Sequence, residues 1–270
     1  MFINYLVTAL RSFKQQKQHF ILNLLGLSIG LAAAILVALF AQNELSYDSQ
    51  QPHAERVYRV GQDYSKLGLS VIPIFNYSQA AKATEYSQVE EVFGLTMVSL
   101  TREAMVDVQY LDQGFKLNDL YGATPNIENF ININTLAGDL KNAMSTPESL
   151  ALSESEALRI FGTINVIGNT LQHEQGQYTV RAVFADLPSN THFAFKNLVY
   201  VKHDPNNLMI NSSYVYMRLA PQADPKALAD TLSKQYFNGQ MAGQVAIELH
   251  PLLDLHLTAK SPFEMKAGGA

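Results

Sequence analysis

The side chains of this 270-residue chain that could do chemistry are seven histidines and a scatter of carboxylates. The histidines are His19, His53, His173, His192, His203, His250 and His256. No two of them stand four apart, and none belongs to a His-Glu-x-x-His pair, so the defined spacing that a zinc site needs is missing. His250, Asp254 and His256 come nearest to a cluster, at a strand end and the loop after it. Each histidine therefore reads as solvated or partly packed. Ser153 lacks the flanking glycines of a nucleophile elbow and reads as a helix cap. Glu90-Glu91 and Glu154/Glu156 read as solvated helix faces, and no carboxylate pair has the placement that glycoside hydrolysis needs. With no cysteine there is neither a disulfide nor a thiolate site. No Gly-x-x-x-x-Gly-Lys-Ser/Thr phosphate loop occurs. The expectation is a non-catalytic chain with no catalytic residue, metal site or cofactor of its own.

The elements that position these residues begin with an uncharged run from Gln18 to Asn43. Within it, Phe20–Ala41 is almost continuously apolar. A hydrocarbon core of roughly 30 Å takes about 20 such residues, so this run is one transmembrane helix with modest tilt. Asn23 lies near one interface, and Ser28 can bond to a carbonyl of its own helix. A cleaved signal peptide would have a shorter apolar region ending in a small-x-small pattern, which Leu39-Phe40-Ala41 lacks. A helix hydrophobic on all sides could also be a buried core helix, but nothing else in the chain is apolar enough to surround it. Small residues recur at every fourth position, Gly26, Gly30, Ala34 and Ala38. That stripe lets a neighbouring helix approach closely; the alternative is that glycine is simply common in membrane helices.

Arg11, Lys14 and Lys17 precede the span, and Glu44 and Asp48 follow it. The positive-inside bias puts the N-terminus in the cytoplasm and the rest outside, in the periplasm of a Gram-negative cell. Phe2, Tyr5, Leu6, Ala9, Leu10 and Phe13 recur at helical spacing, so residues 1–19 predict a cytoplasmic amphipathic elbow helix or, alternatively, a helical extension of the span. The formal net charge is −5; the first 20 residues carry +3, so the remainder carries −8. An acidic outer domain without a Lys/Arg cluster excludes nucleic acid as its partner.

Beyond the span the chain reads as α+β. Arg56–Val60 alternates like a strand, Phe75–Val92 has helical periodicity, and Phe93–Thr101 is β-like. A second strand–helix–strand unit follows near the end: Ser213–Leu219, a helix from Asp224-Pro225 to Tyr236, and Gln244–Leu249. Between them, Ala104–Tyr110, Gly114–Leu117 and Leu150–Leu152 predict strands, and Asn126–Ile133 a short helix or turn. Ser153 and Glu156 form a capping box for a helix ending at Gly162. Thr170–His173 and Gln177–Val183 predict a hairpin. The expected organisation is a cytoplasmic helix (1–19), a transmembrane helix (20–42), a split βαβ lobe (43–102 and 197–252), an inserted mixed β-rich lobe (103–196), and a linker (253–270).

Several of these segments, taken in order, carry a family resemblance. They are the basic amphipathic N-terminus, Asn23–Gly30, Glu44-Leu45-Ser46-Tyr47-Asp48, Arg56–Val60, Leu152–Ser155, Phe161-Gly162, Val166–Gly168, Tyr178–Val180 leading to Val183–Pro188, and Asn190-Thr191-His192-Phe193. Together they resemble the N-terminal part of MacB/FtsX-type ABC transporter permeases, over essentially the whole chain. The resemblance implies a two-lobed periplasmic domain on an inner-membrane helix, and a subunit that couples ATP hydrolysis in a separate cytoplasmic ABC ATPase to periplasmic conformational change for export or efflux. ATP and Mg would belong to that ATPase. A second permease copy or homologue and membrane lipid are the further partners implied. Such permeases continue into three more membrane helices, so the expectation is that this is a piece of a longer protein, with residues 253–270 leading toward the second. A single-span, membrane-anchored binding or sensor domain is the alternative.

Overall fold

The computed structural model describes residues 17–98, 105–203, 212–259 and 261–265. The amphipathic stripe from Phe2 to Phe13, with Arg11 and Lys14, lies outside them. The chain divides into two units, Met1–Ser46 and Tyr47–Ala270.

In the first unit, helix α1 (Lys17–Leu45) runs for 29 residues with no buried side chain. Its mean hydropathy reaches 2.6, and it is long and apolar enough to cross a membrane.

In the second unit the strands are β1 (Val57–Asp63), β2 (Phe75–Asn76), β3 (Val89–Met97), β4 (Val106–Tyr110), β5 (Gln113–Leu117), β6 (Leu120–Ala123), β7 (Thr135–Gly138), β8 (Ser149–Ser153), β9 (Thr170–His173), β10 (Gly176–Phe184), β11 (Asn197–Tyr200), β12 (Ser212–Leu219) and β13 (Ala246–Pro251). The helices are α2 (Tyr77–Ala80), α3 (Leu140–Ala143), α4 (Glu154–Phe161), α5 (Pro225–Tyr236) and α6 (Leu255–Thr258). Among the described residues the strands form one sheet, in the order β13-β1-β12-β3-β6-β11-β8-β10-β9-β4-β5, with β2 on β12 and β7 on β10.

At one end β1 is antiparallel to both β12 and β13, and β12 is antiparallel to β3. So β12 and β13 run parallel with β1 between them, and β1 and β3 run parallel with β12 between them. These are two interleaved split βαβ units. The period-two rule explains why β12 is apolar on both faces. Tyr214 and Tyr216 join one core cluster with Phe93, Phe130, Phe193 and Leu252. Val215, Met217 and Leu219 join a second with Leu228 and Leu232 of α5. A third cluster, with Val108, Leu117, Leu150, Leu152, Ile160 and Val180, packs α4 on the far end of the sheet.

Local signals hold at the helix ends. Asp224 Oδ1 accepts from the amides of Lys226 (2.9 Å) and Ala227 (3.2 Å), with Pro225 next in line. Gly162 stops α4 at φ 72°.

Four readings are corrected. The helix expected over 75–92 is one turn of α2 and a 3-10 stretch over Ala81–Glu85, and β3 starts at Val89. Glu90 and Glu91 are therefore strand residues, and they do not form a solvated helix face. Arg218 Nε donates to Glu90 (3.0 Å), Arg218 Nη2 to Glu91 (2.6 Å) and Arg56 Nη1 to Glu90 (2.7 Å). Only half of the expected capping box forms. Ser153 Oγ accepts from the Glu156 amide at 3.4 Å, but the Ser153 amide already donates to the Lys196 carbonyl, as the last residue of β8. The Glu156 carboxylate turns to Arg159 (3.0 and 2.6 Å), and Glu156 is buried rather than solvated.

Gly138 sits at φ +75°, and a Cβ there would lie 2.0 Å from the Arg181 carbonyl oxygen. Both the backbone strain and the clash act on the β7–β10 pairing. Gly138→Ala should lower unfolding free energy by about 3 kcal/mol, read from thermal or urea denaturation.

Candidate functional site

The residues that follow α1 in sequence are tied down at once. Tyr47 donates its hydroxyl to the Ser189 carbonyl (3.0 Å), and its ring stacks on His256 with centroids 3.5 Å apart. Asp48 takes the left-handed backbone conformation (φ 57°), which asparagine and aspartate tolerate better than most residues. Its amide donates to the Asn190 carbonyl at 3.0 Å. Gln51 donates to Thr191 Oγ1 (3.2 Å) and accepts from the Asn132 amide (2.8 Å).

The Asp48 carboxylate is wholly buried. Thr191 Oγ1 donates to Oδ1 at 2.5 Å, and the His192 amide donates from 3.2 Å. His192 Nδ1 lies 2.8 Å from Oδ2, and Nε2 lies 2.8 Å from the Tyr216 hydroxyl. A carboxylate only accepts, so Nδ1 carries the donated proton; in the neutral ring Nε2 then accepts the Tyr216 O–H. Burial pushes Asp48 up, but the attraction of the His192 imidazole and the bonds from His192 and Thr191 outweigh it. The carboxyl stays below its ordinary value of 3.8. Burial pushes the Tyr216 hydroxyl well above its ordinary range.

This Asp–His–Tyr line has the connectivity of a catalytic relay but not its chemistry. An activated nucleophile needs access and a lowered pKa. Tyr216 is fully buried and shifted upward. The line is a buried structural relay.

The same sheet face holds residues 263–264. Arg59 on β1 is the register partner of Tyr216 on one side and His250 on the other. Its guanidinium meets Glu264 in a fork, with Nη1 to Oε2 and Nη2 to Oε1, the latter at 2.9 Å. Their side chains are 3% and 10% exposed. Tyr214, two residues from Tyr216 on β12, donates to the Phe263 carbonyl at 2.7 Å. Residues 47–51 and 263–264 are thus pinned to neighbouring positions of adjacent strands.

Sequence reasoning picked out Asp48 and His192 inside separate motifs but could not pair them across 144 residues. His192 departs from the solvated default, being 7% exposed. Gly26, Gly30, Ala34 and Ala38 all lie on α1, with open space beside Gly26 and Gly30. Lys17 is the first residue of α1, and Arg11 and Lys14 lie outside the described residues. His250 Nε2 bonds Thr258 Oγ1 (2.6 Å) while His256 stacks on Tyr47, so these two do not converge with Asp254 on a common point. Among the described residues no three His, Asp or Glu side chains gather as a metal site.

A helix of spanning length precedes a domain of interleaved βαβ units, in which residues 47–51 and 263–264 are held on one sheet face. The MacB-like periplasmic core domain model matches residues 20–235, and the chain belongs to that family, the periplasmic domain of ABC-transporter permease-type proteins. Among curated proteins none matches. The fold is shared with a domain assigned to a permease from Porphyromonas gingivalis (TM-score 0.60, 21% identity, 75% of this chain and 93% of that one). It is also shared with the periplasmic region of MacB from Actinobacillus actinomycetemcomitans (0.54, 14%, 77% and 95%). The extracellular domain of the ABC-type transporter YknZ from Gram-positive bacteria is similar as well (0.52, 11%, 72% and 98%).

Asp48→Asn leaves His192 without its carboxylate. At neutral pH the variant should lose about 3 kcal/mol of stability, the scale for breaking a buried pair. Because the folded-state pKa of Asp48 is depressed, its contribution is present above the ordinary value of 3.8 and fades as pH falls through the lowered one. Denaturation curves of the two proteins should therefore converge below that pH; a constant gap down to strongly acid pH would refute the assignment.

Proposed function

We propose that this chain serves as the periplasmic effector of an ABC-type permease subunit. In this reading α1 is the lever that links a cytoplasmic ATPase to the outer domain, and the outcome is export or efflux. The observation that carries it is the double pinning. The Asp48–His192–Tyr216 line fixes the segment after α1, and the Arg59–Glu264 fork fixes the last described segment, on strands that are hydrogen-bonded to each other. A passive tether needs no buried charge at its attachment, whereas a lever must not slip where it joins its load. ATP-driven change would then be a population shift between two arrangements rather than chemistry on a substrate.

Orientation follows from Arg11, Lys14 and Lys17 on the cytoplasmic side. The ATPase would bind there and supply ATP and Mg, and a second permease copy or homologue would pack on the Gly26, Gly30, Ala34, Ala38 stripe. Within the outer domain, residues 43–102 with 197–252 and residues 103–196 would act as two lobes, and 253–270 would lead back toward the membrane.

In the full-length protein reconstituted with its ATPase, Gly26→Leu combined with Gly30→Leu should abolish ATP-driven change in the outer domain. Spin-label distances across that domain are the readout. If residues 26–38 can instead become poly-Leu with no loss, α1 is only a tether and the binding or sensor reading replaces this one.

A further inference from the structure

Strands β1 and β12 stay paired as far as Val60 and Val215 and then part. Residues 72–76 enter the fork. Ile72 bridges to Gln62 of β1, and Phe75 and Asn76 of β2 pair with Ser213 and Ser212 of β12. Pro73 between them has no N–H to offer either strand. A cavity of about 500 Å³ remains at the fork, a size that takes a drug-like molecule. Ile72, Phe75, Met97, Tyr236, Phe237 and Phe263 give it mainly apolar walls.

The polar groups of the cavity are uncharged. No Asp, Glu, Lys, Arg or His stands among the described residues that line it. Gln62 donates from Nε2 to the Ile74 carbonyl (2.6 Å) and accepts from the Tyr64 hydroxyl (3.0 Å). The Tyr236 hydroxyl donates to the Gln79 carbonyl (3.0 Å). Asn76 differs from these. It caps α2, with Oδ1 accepting from the Gln79 amide at 2.9 Å. Only the oxygen can take that bond, so the cap fixes which way the carboxamide faces. Nδ2, with two hydrogens to donate, is then buried with no partner. A buried donor without an acceptor costs free energy that a single acceptor atom would recover.

We propose that this cavity binds a small, neutral, mainly apolar molecule carrying a hydrogen-bond-accepting oxygen, which the Asn76 carboxamide receives. The aromatic and aliphatic walls take the apolar body. Asn76 selects for the oxygen, since a ligand without an acceptor leaves Nδ2 unpaired. A charged ligand would shed its water for a lining with no opposite charge, so the site excludes it. The site is independent of the transport reading and of α1, because every described wall residue belongs to the Tyr47–Ala270 unit.

Three probes on one naphthalene skeleton separate the terms: 2-acetonaphthone (neutral, with a carbonyl acceptor), 2-isopropenylnaphthalene (neutral, no acceptor) and 2-naphthoate (anionic). Each is titrated into the full chain in phosphatidylcholine nanodiscs, with the methionine methyls labelled for NMR and affinities referred to free aqueous probe. Met97 lines the cavity, and Met144, buried in the core and not among its walls, is the reference. Expected is a saturable shift of the Met97 methyl by 2-acetonaphthone, with Met144 unmoved. The isopropenyl probe should bind about fivefold more weakly. At the same concentration 2-naphthoate should leave Met97 in place. Asn76→Asp keeps the capping oxygen and loses the donor, so it should weaken 2-acetonaphthone binding at least about tenfold. An unchanged Met144 signal in that variant shows that the fold is kept. The proposal fails if Met97 shows no saturable shift, or if 2-naphthoate binds as well as the ketone. It also fails if the ketone and the isopropenyl probe bind equally, or if Asn76→Asp binds the ketone undiminished.

Discussion

A carboxylate with no exposure to water must find all its partners inside the protein, and Asp48 is such a group. Its position, three residues after the end of the apolar helix, makes this a constraint on the whole domain that follows. Thr191, the His192 amide and the His192 ring supply the partners. That requires the loop after β10 to fold back over the start of the domain. His192 then needs a partner for its second nitrogen, and Tyr216 provides it from β12. The first polar residues of the domain are thereby committed to a strand near the middle of the split βαβ lattice.

The ion pair at the other end obeys the same logic. Arg59 could not be left alone at 3% exposure, and Glu264 answers it with a fork of two bonds. Buried pairs of this kind add little net stability over apolar residues of the same shape. They do make one arrangement far better than its neighbours, because a shifted register would strand a charge. The contribution of such a pair is therefore to the choice of one register more than to the net free energy. The fold is common to structures only 11–21% identical, which fits a design held by patterning rather than by particular core residues.

Helix α5 was readable from Asp224-Pro225 because capping is local: the groups that bond are two and three residues apart. The start of β3 was misread as helix because Ala80 and Ala83 are at helical spacing while Val89, Val92 and Phe93 are claimed by pairing with β12. Propensity lost to a tertiary ladder. The half-formed capping box has the same cause, since the Ser153 amide was already spent on Lys196.

By itself the sequence determined what depends on neighbours along the chain. It specified a helix of membrane length, because hydropathy and length are additive along a segment. It also specified the α+β class, through switching periodicity, the Gly162 stop of α4 and the Asp224 cap that begins α5. Only the tertiary structure decided which charges meet. Asp48 with His192, Arg59 with Glu264, and Glu90 and Glu91 with Arg218 are separated by 144, 205, 128 and 127 residues. Such pairs are chosen by strand register and by the cost of leaving a buried charge alone, and neither quantity is a property of any window of sequence.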